Sequence, residues 1–190
     1  MHNQDLRINL DAYQNSEFKR GRSRIVELCW RITSALYIET FLPGNFARIF
    51  LLRLFGAKIG TGVVIKPGVK VKFPWRLSVG DHCWLGEGAW FDSLQTIEIG
   101  DNCCISQAAY LCTGSHDWND PHFGLVTRGI RLEHGVWIGA HAVIAPGACI
   151  ESGGVITAGS VFSGKSVAWS IYQGNPAIYI KPRQLKSTNL

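Results

Sequence analysis

Charge is scarce in this chain: Asp, Glu, Lys and Arg together make up 17% of 190 residues, and the formal net charge of +5 is gathered into no long basic run. A nucleic-acid surface therefore has no support, and nucleic acid is not an expected partner. No C-x-x-C pair occurs among the six cysteines, two of which are adjacent (Cys103, Cys104). Cys29, Cys83 and Cys149 sit inside apolar runs, so the cysteines read as reduced, small core residues of a cytoplasmic protein rather than a disulfide framework. The first residues, MHNQDLRINL, lack a basic stretch followed by an apolar one, and a secretion signal is not expected. Long uncharged runs are also missing from the N-terminal third, where Glu27, Arg31, Glu39, Arg48 and Arg53 interrupt the apolar residues and exclude a membrane-spanning helix.

What is present is glycine (21 residues), a 46% hydrophobic share and a period. From 24 to 42, RIVELCWRITSALYIETFL places Ile25, Leu28, Ile32, Leu36 and Phe41 at near-helical spacing before Pro43-Gly44 stops the run. A second short helix is expected from 46 to 55. The pair reads as a cap on the main domain or as a basic amphipathic surface touching the inner membrane leaflet.

Beyond residue 57 the spacing changes to six. Ile59, Ile65 and Val71 recur at that interval, then Val79, Leu85 and Phe91, then Ile99, Ile105 and Leu111, then Ile138, Ile144, Ile150, Ile156 and Phe162. Four residues past most anchors stands something small, as at Ala89, Ala109, Ala142, Ala148 and Ser160. A strict hexapeptide period with one large and one small inward position is the signature of a parallel β-helix, whose coils stack into one continuous core. The register slips by two residues between Val71 and Val79 and between Phe91 and Ile99, where bulged corners are expected. It breaks fully at 117–131, a loop that begins one residue after His116. The expected organisation is a helical segment at 1–56, a coil domain at 57–185 and a tail at 186–190.

The strings CTGSHDW, GVWIGAHAVIAPGACI and YQGNPAIYIKPR closely resemble those of the hexapeptide-repeat O-acetyltransferases, and ISQAAYLCTGSHDWNDPHFGL with GNPA is similar to the colanic acid biosynthesis branch. That resemblance, spanning 59–183, implies an all-β, left-handed parallel β-helix with a short N-terminal α-helical segment. It also implies a homotrimer with active sites between neighbours, acetyl-CoA as acyl donor, and a sugar or lipid-linked oligosaccharide as acceptor. His116 falls at the catalytic position, and a histidine near neutral pKa suits a general base that draws a proton from an alcohol. Asp92, which could orient His116 or bind a sugar hydroxyl, and Trp137 are the candidates for the acceptor side. The stretch from Gly139 to Ala142, with Ala140 in it, is the candidate oxyanion region, and Ala158 and Gly159 would lie along the pantetheine. Lys181 and Arg183 match the basic tail that meets the cofactor phosphates, while Lys165 is one place out of step. No metal is expected. Three rivals are weaker: a zinc site among the histidines, of the carbonic-anhydrase kind; thiol catalysis by Cys112; and a scaffold without catalysis.

Overall fold

The computed structural model describes residues 7–186. Most of the 186–190 tail thus lies outside the described residues. Short strands, mostly two or three residues long, wind around a left-handed triangular coil, a departure from the usual right-handed crossover. Three parallel faces result. The first stacks five strands from Lys58–Ile59 to Cys149–Ile150, and the third stacks five from Lys70–Val71 to Val161–Phe162. The second stacks six, from Val64–Ile65 to Ser170–Gly174, and adds the antiparallel strand Ala177–Pro182 as its seventh. Within it Val64 pairs with Trp84, Trp84 with Cys104 and Cys104 with Trp137, so equivalent hexapeptide positions stand directly above one another.

The anchors explain the coil. Every one of them, from Ile59 to Phe162, is buried, and Ala89, Ala109, Ala142, Ala148 and Ser160 are buried beside them. Each aliphatic anchor contributes about 1.5–3 kcal/mol of apolar burial, repeated coil after coil. Six residues suffice for one face and one corner because two strand residues and a four-residue turn advance the chain to the next face.

Both register slips fall at the corner between the third and first faces. At one, Pro74–Arg76 forms a single 3-10 turn. At the other, the buried Ser93 hydroxyl accepts from Phe73 N and donates to Phe73 O, while Thr113 Oγ1 accepts from Gln95 N and donates to Asp92 O. Side-chain oxygens thus replace the backbone ladder where the corner is too wide to close on itself. The excursion leaves from this same edge with other bounds than the expected 117–131: it starts at Gly114, and Ile130–Leu132 is already a strand of the first face.

Two helices close the end of the first coil. The helix α1 (Arg24–Thr33) begins at Ser23, whose hydroxyl accepts from Val26 N, and continues through a wider π turn to Ile38. The helix α2 (Asn45–Leu54) follows Pro43-Gly44, one residue earlier than its apolar pattern predicts. Buried Arg48 donates to the carbonyls of Thr40 and Leu42 and so ties the connection down. The first coil offers an open strand edge on every face, and each is met by a helix side chain. Arg53 donates to Ile59 O and Gly60 O; Asn45 donates to Val63 O and accepts from Ile65 N; the Trp30 indole donates to Val71 O at 2.9 Å. Trp30, Ile38 and Leu52 are the helix residues that enter the core.

The helical stripe read from sequence faces away from the coil. Ile25, Leu28, Ile32, Leu36 and Phe41 are all more than half exposed. Cys29 lies on that outer side too, so it is not a core residue, and all six cysteines are free thiols. Among the described residues no helix is long and apolar enough to cross a membrane.

Candidate active site

The corner that carries Thr113 throws out a two-stranded hairpin, Gly114–His116 against Leu125–Thr127. Between the strands, the Asp120 carboxylate accepts from the amides of His122 and Gly124, chiefly the former, and these bonds hold it below the usual carboxylate range. That turn leaves Phe123 in the left-handed region, at φ 55°, with its carbonyl 2.7 Å from His116 Nδ1. A carbonyl oxygen can only accept. The neutral His116 ring therefore carries its proton on Nδ1 and presents an unprotonated Nε2, the tautomer a general base requires.

His116 is exposed and looks into a cavity of about 1000 Å³. Tyr13 meets the imidazole edge-on at 5.9 Å, and the N-terminal arm is fixed to the loop by Asn9 N donating to Pro121 O. The opposite wall is Trp90, with Lys70 over its ring and Tyr110 stacked against it at 4.6 Å. Leu28, Arg31 and Ile32 of α1 close the remaining side. Sequence reasoning missed Tyr13, Lys70, Trp90 and the helix wall, all of which reach His116 only through long-range packing.

Asp92 is buried next to this wall but does not orient His116. It accepts from the Tyr110 hydroxyl at 3.0 Å and pairs with Lys72 at 3.1 Å, and the Phe123 carbonyl takes the orienting role instead. Burial, followed by the neighbouring Cys112 and Asp92, pushes the Tyr110 phenol up, so it stays a neutral donor. Cys112 turns its thiol to Gly114 O.

The remaining candidates lie elsewhere on the prism. Gly139, Ala140, Ala158 and Gly159 stack at the edge between the second and third faces, beside Trp137, whose indole donates to Ser106 Oγ. Along this edge the amides of Glu87, Gln107, Ala140 and Ala158 donate to nothing among the described residues. The contrast with the edge between the first and second faces is sharp. There Asp81 Oδ1 caps Thr61 N, Asp101 Oδ1 caps Asp81 N, Glu133 Oε2 caps Ser152 N and Glu151 Oε2 caps Ala168 N. One edge has four of its amides held by carboxylates, while the other is a row of free donors with room above Gly159, where an added Cβ meets nothing within 4 Å. These free amides can donate to the carbonyl oxygens of a pantetheine chain.

Lys181 is exposed on the last strand. Arg183 is turned to the capped edge, where it donates to Gly135 O and Gly153 O and lies over Trp169, so it does not form one phosphate clamp with Ala158 and Gly159. Lys165 pairs with Glu151 at 2.7 Å. His122 pairs with Asp120 at 3.7 Å, and no group of three or more His, Cys, Asp or Glu side chains converges among the described residues.

A left-handed coil with a histidine-bearing hairpin at one edge and a free amide row at another defines a hexapeptide-repeat acyltransferase. No protein-family model matches the chain. It is, however, 39% identical over 166 residues to the protein named colanic acid biosynthesis acetyltransferase WcaF in Escherichia coli K12, a match covering 87% of this chain and 91% of that one. The chain belongs to the hexapeptide-repeat acetyltransferase family, and the particular branch it resembles is that of WcaF. Galactoside O-acetyltransferase of Escherichia coli K12 is 28% identical over 117 residues, covering 58% of this chain and 56% of that one. Among solved structures, the hexapeptide-repeat acetyltransferase VCA0836 of Vibrio cholerae has the same fold, with a TM-score of 0.79 at 22% identity over 92% of this chain and 97% of that one.

Proposed function

We propose that this acetyltransferase moves the acetyl group of acetyl-CoA to a hydroxyl of a sugar belonging to an exopolysaccharide precursor, free or carried as a lipid-linked oligosaccharide, in the cytoplasm. The similarity to WcaF supports the substrate class. The observation that carries the chemistry is the His116–Phe123 contact, which leaves Nε2 as a proton acceptor over the cavity. His116 takes the hydroxyl proton as the sugar oxygen attacks the thioester carbonyl in a direct transfer, then returns it to the departing sulfur. A corner amide, from Ala140 or its neighbours, donates to the oxyanion that develops. Bound acetyl-CoA supplies the activated acyl group; Lys181, exposed on the last strand, is the candidate cation for its phosphates.

The amide row and His116 stand at different edges of one prism, so a second copy completes the site. Trp84 and Trp137 are 60% and 47% exposed on the second face, which suits the contact between copies in a homotrimer.

The test is His116→Ala. We expect kcat for acetyl transfer to fall by about two to four orders of magnitude, with acetyl-CoA affinity unchanged. Turnover near the wild-type value would remove His116 from the mechanism, and loss of acetyl-CoA binding would recast it as a structural residue. In a scaffold without catalysis the substitution would change nothing.

A further inference from the structure

The N-terminal helices turn apolar stripes away from the coil. Ile25, Leu28, Ile32 and Leu36 follow one another along α1 and its π turn at 52–75% exposure. Phe46, Phe50 and Leu54 repeat the pattern on α2 at 55–83%. Phe41 and Leu42 are exposed in the connection between them. A soluble surface scatters such side chains singly, whereas these are periodic.

The same segment concentrates the charge. Residues 19–58 hold eight of the 19 Lys and Arg but two of the 14 acidic residues, a formal +6 that leaves −1 for the rest of the chain. Arg22, Arg24, Arg31 and Lys58 are exposed and form no ion pair among the described residues. Of the two acids, Glu27 is paired with Arg20 and Glu39 accepts from Ser34.

We infer that this helical pair docks on a bilayer surface bearing anionic headgroups. Apolar stripes on helices too short to span, flanked by free arginine and lysine, are what an interfacial segment needs: side chains to enter the headgroup boundary and cations to hold phosphates. Charge decides against a second copy of this chain. Two such segments face to face would set like charges together. Leu28 and Ile32 belong both to the stripe and to the wall of the His116 cavity, so docking brings the cavity mouth to the lipid surface. The inference stands apart from the acetyl-transfer reading, because binding is measured with neither acetyl-CoA nor acceptor present.

The experiment is co-sedimentation of the full-length protein with vesicles of phosphatidylcholine alone or with about a third phosphatidylglycerol. Binding is expected to the anionic vesicles and to weaken in about 1 M salt, where the screening length shrinks to about 3 Å. Phe46→Gln/Phe50→Gln and Arg22→Gln/Arg24→Gln should each bind at least about tenfold less, with unchanged unfolding midpoint and light-scattering mass. The arginine pair lies on the surface, so it tests the idea even if the phenylalanine variant folds poorly. Equal binding to both vesicle types, or none to either, overturns the inference. A smaller assembly in the phenylalanine variant also overturns it, since the stripes would then be a contact between copies.

Discussion

Replacing Gly139 with alanine should damage both the coil and the proposed cofactor edge. A Cβ there would stand 2.4 Å from Ala158 N and 2.7 Å from the Thr157 carbonyl carbon, where ordinary contact begins at 3.4 Å. The obstructing atoms are backbone, so no side chain can swing aside. Relief requires the two corners to part by about 1 Å, which stretches Gly139 N to Ile156 O (2.7 Å) and Gly159 N to Ala140 O (2.8 Å) beyond useful hydrogen-bond length. Losing two such bonds costs about 2 kcal/mol, and residual overpacking adds about 1–3 kcal/mol. Urea unfolding should therefore show about 3–5 kcal/mol less stability, and calorimetry should show acetyl-CoA binding weakened by at least about tenfold as the Ala140 and Ala158 amides shift. Gly159→Ala is the control. Its Cβ meets nothing within 4 Å, and its cost is limited to the left-handed φ of 69°, about 1–2 kcal/mol. If Gly139→Ala were the milder of the two, or bound acetyl-CoA normally, the close stacking of this edge would not be what shapes the donor row.

Asp120→Ala should leave the coil intact but free the Phe123 carbonyl, lowering kcat by about tenfold to a hundredfold with little change in the KM for acetyl-CoA. Rescue by Asn, which keeps an acceptor oxygen, would mark Asp120 as a positioning residue, and unchanged kcat in the alanine variant would refute that role. Trp30→Phe removes the donor on Val71 O while keeping most of the packing, so the thermal midpoint should fall by the equivalent of about 1–3 kcal/mol; no change would mean water serves that edge as well. Asp81 and Asp120 are held below their ordinary value of 3.8, chiefly by the amides of Thr61 and His122. Their folded values lie below their unfolded ones, so the stability they add is present above the ordinary carboxylate range and lost as pH falls through the folded values. The thermal midpoint should stay flat toward pH 5 and drop below about 4; a drop already at pH 6 would point to histidines instead.

The coil was legible because one residue in six must be large and enclosed; Leu85, Ile105 and Ile138 announce their own positions without help from the rest of the chain. His116 was legible for a similar reason, since it stands where the period fails. The helical stripe was read with the right spacing but without a direction. Period reveals that an apolar face exists, not what it meets, and the core instead took Trp30, Ile38 and Leu52, whose indole and alkyl groups fit the first coil's open end. The partner of His116 left no trace in sequence because it is a backbone carbonyl, aimed by Asp120 three residues earlier. The cavity wall of Tyr13, Trp90 and α1 depends on segments brought together over a hundred residues of chain, which no local pattern encodes.

The carboxylates along the capped edge also have a direction. Below the hairpin, caps run from later coils to earlier ones: Asp101 serves the coil of Asp81, and Asp81 serves the coil of Thr61. Above it the order reverses, with Glu133 serving the coil of Ser152 and Glu151 that of Ala168. Each outer turn leans on the one nearer the middle, and the middle leans on neither end. A molecule wired in this way zips outward from Asp101 and Glu133 and frays inward from its extremities, so amide exchange should be slowest around residues 99–138 and quicken toward both ends.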